Sequence, residues 1–211
     1  MCYSYQSSLS GWLIAFVLSI YMLANGNIYN KWVPIMILTI TQIQIMEAII
    51  WATDSYVINS NATKLISYLL LLQPLVNSYM GYKYTDNKLL LLLFVLVLIV
   101  FLYNAISSRY DKFYSTIGAN NHLNWNRIDY STGEKKNIIG NFLIQIIYVL
   151  GAIVPIFFLD KKNRAVLLIF ISISLFYSYY YYNKTSEFGT IWCYLAVYAS
   201  VISLIVPYIN I

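Results

Sequence analysis

From Leu89 to Tyr103 the chain runs through fifteen consecutive apolar residues, LLLLLFVLVLIVFLY, without a single charge. Such a run does not alternate as a half-buried strand does, and it leaves no polar face for a helix at a water surface. Extended to residue 106, it is long enough to cross the roughly 30 Å hydrocarbon core of a bilayer as a helix. Six further stretches share its character, so the expected spans are 9–24, 33–53, 65–82, 89–106, 138–159, 165–182 and 188–208. Within hydrocarbon every backbone N–H and C=O must be satisfied inside its own segment, and helices meet that demand. The expectation is an all-α integral membrane bundle of seven transmembrane helices, one domain over residues 1–211. The third stretch is the weakest, because Gln73, Pro74, Asn77 and Ser78 interrupt it; if it only dips into the bilayer, the count is six. Composition agrees, with 60% hydrophobic and 10% charged residues, against roughly 45–50% and 25% in soluble domains. The 22 tyrosines suit the two membrane–water interfaces.

The net charge of +5 does not read as a nucleic-acid signal. Lys and Arg are scattered through the connections, with no dense basic helix or arm. The lipid bilayer is the expected partner, with self-association into a homo-oligomer left open and no cofactor or metal implied. Seven basic residues fall on the N-terminal side and six on the opposite side, where they are packed into short turns. That distribution places the N-terminus outside or lumenal and the C-terminus in the cytoplasm. Met1–Ser10 has no positive n-region, so the first stretch is expected to remain as a span. Two acceptor patterns for glycosylation, Asn61-Ala-Thr63 and Asn183-Lys-Thr185, lie on the N-terminal side.

Polar groups inside the spans are the candidate functional residues, because placing them there is expensive. Glu47 is the clearest, a carboxylate that costs about 2.5–3.5 kcal/mol at a helix centre on insertion scales. At 100° per residue, Gln44, Glu47, Trp51 and Asp54 fall within an arc of about 80°. Gln73 and Asn77 lie one turn apart on the third span around Pro74, which frees the carbonyl near Leu70. Asn137, Asn141, Gln145 and Tyr148 make one stripe on the fifth. If these faces converge, they line a polar cavity opening to the N-terminal side.

The connection 107–136 is the one long loop. Segments 113–117 and 122–126 flank Gly118-Ala119-Asn120-Asn121, which reads as a turn and predicts a small β-hairpin or folded cap between helices 4 and 5. It carries His122, the only histidine, and Trp125. His122 is either a solvated surface residue or a pH-sensitive group above Glu47. Cys2 and Cys193 are the only cysteines, and both fall on the N-terminal side, where they are either a disulfide or two free thiols. No H-E-x-x-H, C-x-x-C, G-x-S-x-G or P-loop is present. The last span holds no lysine for a retinal Schiff base.

The Met1-Cys2 start, Gln44-x-x-Glu47-x-x-x-Trp51, Gln73-Pro74 and Gly118-x-x-x-His122-Leu123-x-Trp125 resemble a family of small multi-pass proteins of large DNA viruses and some microbial eukaryotes. The resemblance implies a membrane location, a host-cell membrane included, and no activity. Three functions fit the residues. One is a channel, transporter or ligand-binding bundle centred on Glu47, its small molecule or ion unknown. The second is a structural or interaction protein of a viral or organellar membrane. The third is a lipid-modifying enzyme using Glu47 and His122.

Overall fold

The computed structural model describes residues 4–26, 30–118, 120–139, 142–182 and 188–208, with side chains given outside 182–196. The chain is mostly helical, at 76%. Seven helices follow in order: α1 (Tyr5–Ala24), α2 (Trp32–Trp51), α3 (Tyr56–Thr85), α4 (Lys88–Ser107), α5 (Phe142–Ile153), α6 (Lys161–Tyr182) and α7 (Phe188–Ile205). A three-stranded sheet interrupts them between α4 and α5: β1 (Lys112–Ile117), β2 (Leu123–Ile128) and β3 (Lys135–Lys136). Helices α5 and α7 each end in a 3-10 turn, Val154–Phe158 and Val206–Tyr208.

Among the described residues, four helices are long and apolar enough to cross a membrane: α1, α2, α4 and Lys161–Tyr181 of α6. The expected third and fifth spans do not meet that standard, and much of the expected seventh lies where side chains are outside the described residues. Helix α3 is long but carries Asn59, Asn61, Lys64, Gln73 and Asn77. Phe142–Phe158 is too short, and of α7 only Val197–Tyr208 falls among the residues searched for such a span. The third stretch also differs in extent. It begins at Tyr56 rather than 65, and its 30 residues make a rod of about 45 Å. That is longer than the hydrocarbon core, so α3 projects beyond an apolar layer of that thickness. Pro74 sits inside it without ending it.

Helices α2 and α3 form the centre. Helix α2 packs on α1, α3 and α7, and α3 packs on α2, α4, α5 and β1. In α2, 56% of the apolar window is buried, against 22% in α4 and 17% in α6. The outer faces of α4 and α6 therefore present Leu92, Ile99, Ile169 and Phe176 outward, as lipid-facing helices do. One apolar cluster joins Ile43 and Ile50 of α2, Ile66 and Leu70 of α3, and Tyr148 of α5. A second joins Met22 of α1, Trp32 and Ile37 of α2, Leu167 of α6 and Val197 of α7.

The expected hairpin is present. Strands β1 and β2 pair antiparallel, with Ile117 opposite Leu123 and Lys112 opposite Ile128. Asn121 takes a positive φ of 58° in the turn, a conformation asparagine tolerates. Ala119 of the expected turn lies outside the described residues. Strand β3, pairing with Arg127 and Ile128, is an addition that two consecutive lysines did not advertise.

Candidate functional site

The hairpin is bolted to the projecting end of α3. Asn59 donates from Nδ2 to the Ser115 carbonyl at 3.1 Å and accepts the Ser115 N–H at 2.7 Å. The Thr63 and Ser115 hydroxyls are 2.8 Å apart. The pleat places Leu123, Trp125 and Arg127 on one face of β2, where all three are buried; Asn126, between them in sequence, is buried too. Leu123 and Trp125 join the cluster that holds Ile43 and Ile50 of α2. His122, the other cap candidate, is fully buried too, so the reading of a solvated surface histidine is replaced by that of a residue enclosed at the turn end of the hairpin.

Glu47 lies in this closed layer. Ile43 and Ile50, four residues before it and three after, contact α3 and the hairpin, and Glu47 and Gln44 are both 0% exposed. Trp51 is the last residue of α2 and is half-buried. Asp54 lies beyond the helix end and is exposed, so the expected arc stops at Trp51.

A different group of polar residues meets deeper in the bundle. Asn77 of α3 accepts the indole N–H of Trp32 at 2.8 Å and donates to the Ala152 carbonyl at 2.8 Å. Its partner helix explains why. Pro155 has no N–H, so the carbonyl four residues earlier, Gly151, loses its helical partner. Asn77 and the Ser78 hydroxyl both point at that carbonyl, each at 3.5 Å. Gly151 permits the approach, since a Cβ there would lie 2.7 Å from Pro74 Cβ and 2.9 Å from Val97 Cγ2. One turn away, the Tyr148 hydroxyl donates to Gln73 Oε1 at 3.0 Å. Pro74 frees the carbonyl near Leu70 for Gln73 or a water, and the Gln73 oxygen is taken by Tyr148. Gln73 Nε2 has no hydrogen-bond partner among the described residues.

Gln73, Asn77 and Tyr148 border a cavity of about 60 Å³. Its other walls are mostly apolar and come from α2 (Met36, Ile37, Ile40), α6 (Leu167, Phe170, with the hydroxyl of Ser174) and Ala199 of α7. Of the expected lining, Gln73 and Asn77 are therefore brought together. Gln145 is half-buried on α5, and Asn141 lies outside the described residues, as do Cys2, Asn183 and the Cys193 side chain. Asn61 is exposed on α3. Two further cavities lie at the ends of the bundle. One, of about 170 Å³, is bordered by Asn30, Asp160, Lys162 and Ser203. Burial works to raise the Asp160 carboxyl, but the Asn163 amide and N–H and the Asn30 amide outweigh it and hold the group below the usual carboxylate range. The other, of about 370 Å³, lies beside the sheet. Glu47 borders none of the three.

Sequence reasoning missed two features. Arg127 was read as one of many loop cations, yet its ion pair with Asp111, at 2.7 Å, is 5% exposed on each side chain. The period-2 pattern of Leu123, Trp125 and Arg127 was the available signal. The dependence of Gly151 on Asn77 could have been found from Pro155, by counting back four residues. Comparison with family models, with curated proteins and with solved structures returns no match.

Proposed function

We propose that this chain is a multi-pass membrane protein of seven crossings that binds a slender, mostly apolar ligand within the bundle. The N-terminus and hairpin lie on the outer or lumenal side and the C-terminus on the cytoplasmic side. The observation that carries the reading is the cavity between five helices, mostly apolar, with Tyr148, Asn77, Ser174 and an unmet Gln73 N–H as its polar groups. Binding sites of this kind combine apolar walls with a few fixed polar groups. A volume of about 60 Å³ is below the usual range for a whole ligand and takes only a short segment of one chain, such as a carbonyl group that accepts from Gln73. A buried donor without an acceptor is costly, and such a ligand removes that cost.

Photolabelling with a diazirine fatty acid in membranes tests this. Labelled peptides are expected at Met36–Ile40 of α2 and at Phe170 of α6. Ala199→Phe fills the cavity and removes these labels, while labels on the outer face of α4 persist. Equal labelling of the filled variant at Met36–Ile40 overturns the reading.

One observation favours a second reading, a proton-coupled carrier. Met36, Ile37 and Ile40 fall on the same arc of α2 as Gln44 and Glu47, so one helix face runs from the cavity wall to a fully buried carboxyl. Proton flux in proteoliposomes that is lost in Glu47→Gln supports the carrier; absence of flux in the wild type removes it.

A further inference from the structure

The cavity of about 370 Å³ at the hairpin end lies within the usual range for small-molecule sites, roughly 300–1,000 Å³. It is separate from the cavity inside the bundle. Asn104 and Ser107 of α4 form one wall; Arg127, Asp129 and Lys136 form the other. Arg127 is 4% exposed. Its Nε donates to Asp111 Oδ2 at 2.7 Å and its Nη1 to Asn104 Oδ1 at 2.9 Å. Those two bonds fix the guanidinium plane. They use two of its five N–H groups, and the guanidinium borders the cavity. Asn104 is 1% exposed, and its Nδ2 has no partner among the described residues.

A buried donor such as Asn104 Nδ2 calls for an acceptor, and Arg127 can supply further N–H groups beside it. Lys136 adds a cation at the rim, its ammonium held by Asp129. The Asp129 carboxylate is itself saturated, taking Lys136 on one oxygen and the Ser131 N–H, Ser131 hydroxyl and Thr132 N–H on the other. The acceptor set that matches a planar guanidinium, an amide and an ammonium is a tetrahedral oxyanion, which offers several oxygens at once.

Position selects the source. Asn104 and Ser107 follow directly on the apolar run of α4. Tyr103, which lines the cavity, is 59% exposed, and Phe142 and Leu143, just before the lining residue Ile144 in the chain, are 76% and 64% exposed. Those exposed rings and aliphatic groups mark the boundary between hydrocarbon and headgroups. We infer that this cavity holds the phosphate of an anionic lipid headgroup, with Arg127, Asn104 and Lys136 as donors and Asp111 as the group that orients Arg127.

The test is thermal unfolding of the detergent-solubilised protein with dihexanoyl phosphatidic acid, dihexanoyl glycerol or inorganic phosphate. A ligand that binds the folded state raises its unfolding temperature. Phosphatidic acid is expected to stabilise and dihexanoyl glycerol not to. Asn104→Asp keeps the oxygen that Arg127 needs but replaces the donor with a charge. Lys136→Gln leaves the buried network untouched. Each is expected to weaken phosphatidic acid binding by roughly tenfold or more. Equal stabilisation by dihexanoyl glycerol, or unchanged affinity in both variants, overturns the site. Stabilisation by inorganic phosphate alone overturns the lipid as its source.

Discussion

At the scale of single residues, the informative side chains are those whose polar atoms are committed between helices. Asn77 ties α2 to α5 through Trp32 and Ala152. Asn77→Leu keeps the volume but leaves the Trp32 N–H and the Gly151 carbonyl without that partner. A loss of about 1–3 kcal/mol is expected, read as a lower unfolding temperature and a shifted Trp32 emission; an unchanged unfolding temperature contradicts the role. In the hairpin, the Lys136 ammonium, then the Ser131 hydroxyl and the Thr132 N–H, hold the Asp129 carboxyl well below its usual range. The sign follows from the lowered value. The stabilisation of this turn is fully present above the unfolded carboxylate value of about 3.9 and is lost as pH falls through the lowered one. An NMR titration of the Asp129 side-chain carbon is expected to show a midpoint below that of an unfolded peptide. A midpoint at or above it contradicts the pairing with Lys136.

At the scale of elements, the contact between α3 and α5 turns on matched defects. Pro155 strips a hydrogen bond from α5, and Asn77 and Ser78 face the carbonyl it leaves. Gly151 lets Pro74 and Val97 come close enough for that. Gly151→Ala therefore inserts a methyl group against a rigid proline ring, and overpacking of that kind costs about 1–3 kcal/mol. The prediction is a lower unfolding temperature, rescued in part by Val97→Ala, which relieves one of the two clashes. Absence of any coupling between the two substitutions counts against the packing described. The hairpin shows the same logic at its other joint. Asn59 and Thr63 are polar because they sit on the part of α3 that leaves the apolar layer, where their partners are backbone groups and hydroxyls of β1.

At the scale of the whole molecule, seven crossings require the two ends of α3 to lie on opposite faces of the membrane. Ser55→Cys and Lys88→Cys, each made after Cys2 and Cys193 are replaced by serine, are expected to react with an impermeant maleimide from opposite sides. Labelling from the same side reduces the count to six. The sequence alone determined the helices and most of their limits, because hydrocarbon leaves a charge-poor run no other satisfied backbone structure. It also determined the hairpin, through alternation around a turn. It singled out Gln73 and Asn77, which border the inner cavity, and Glu47, which does not. Which polar residues meet was decided by the tertiary structure alone. Helix facing depends on close approaches such as Gly151 on Pro74 and on the pleat that turns Arg127 inward. Those are contacts between segments about 75 and 20 residues apart in the chain, and no local pattern of apolar and polar residues encodes them.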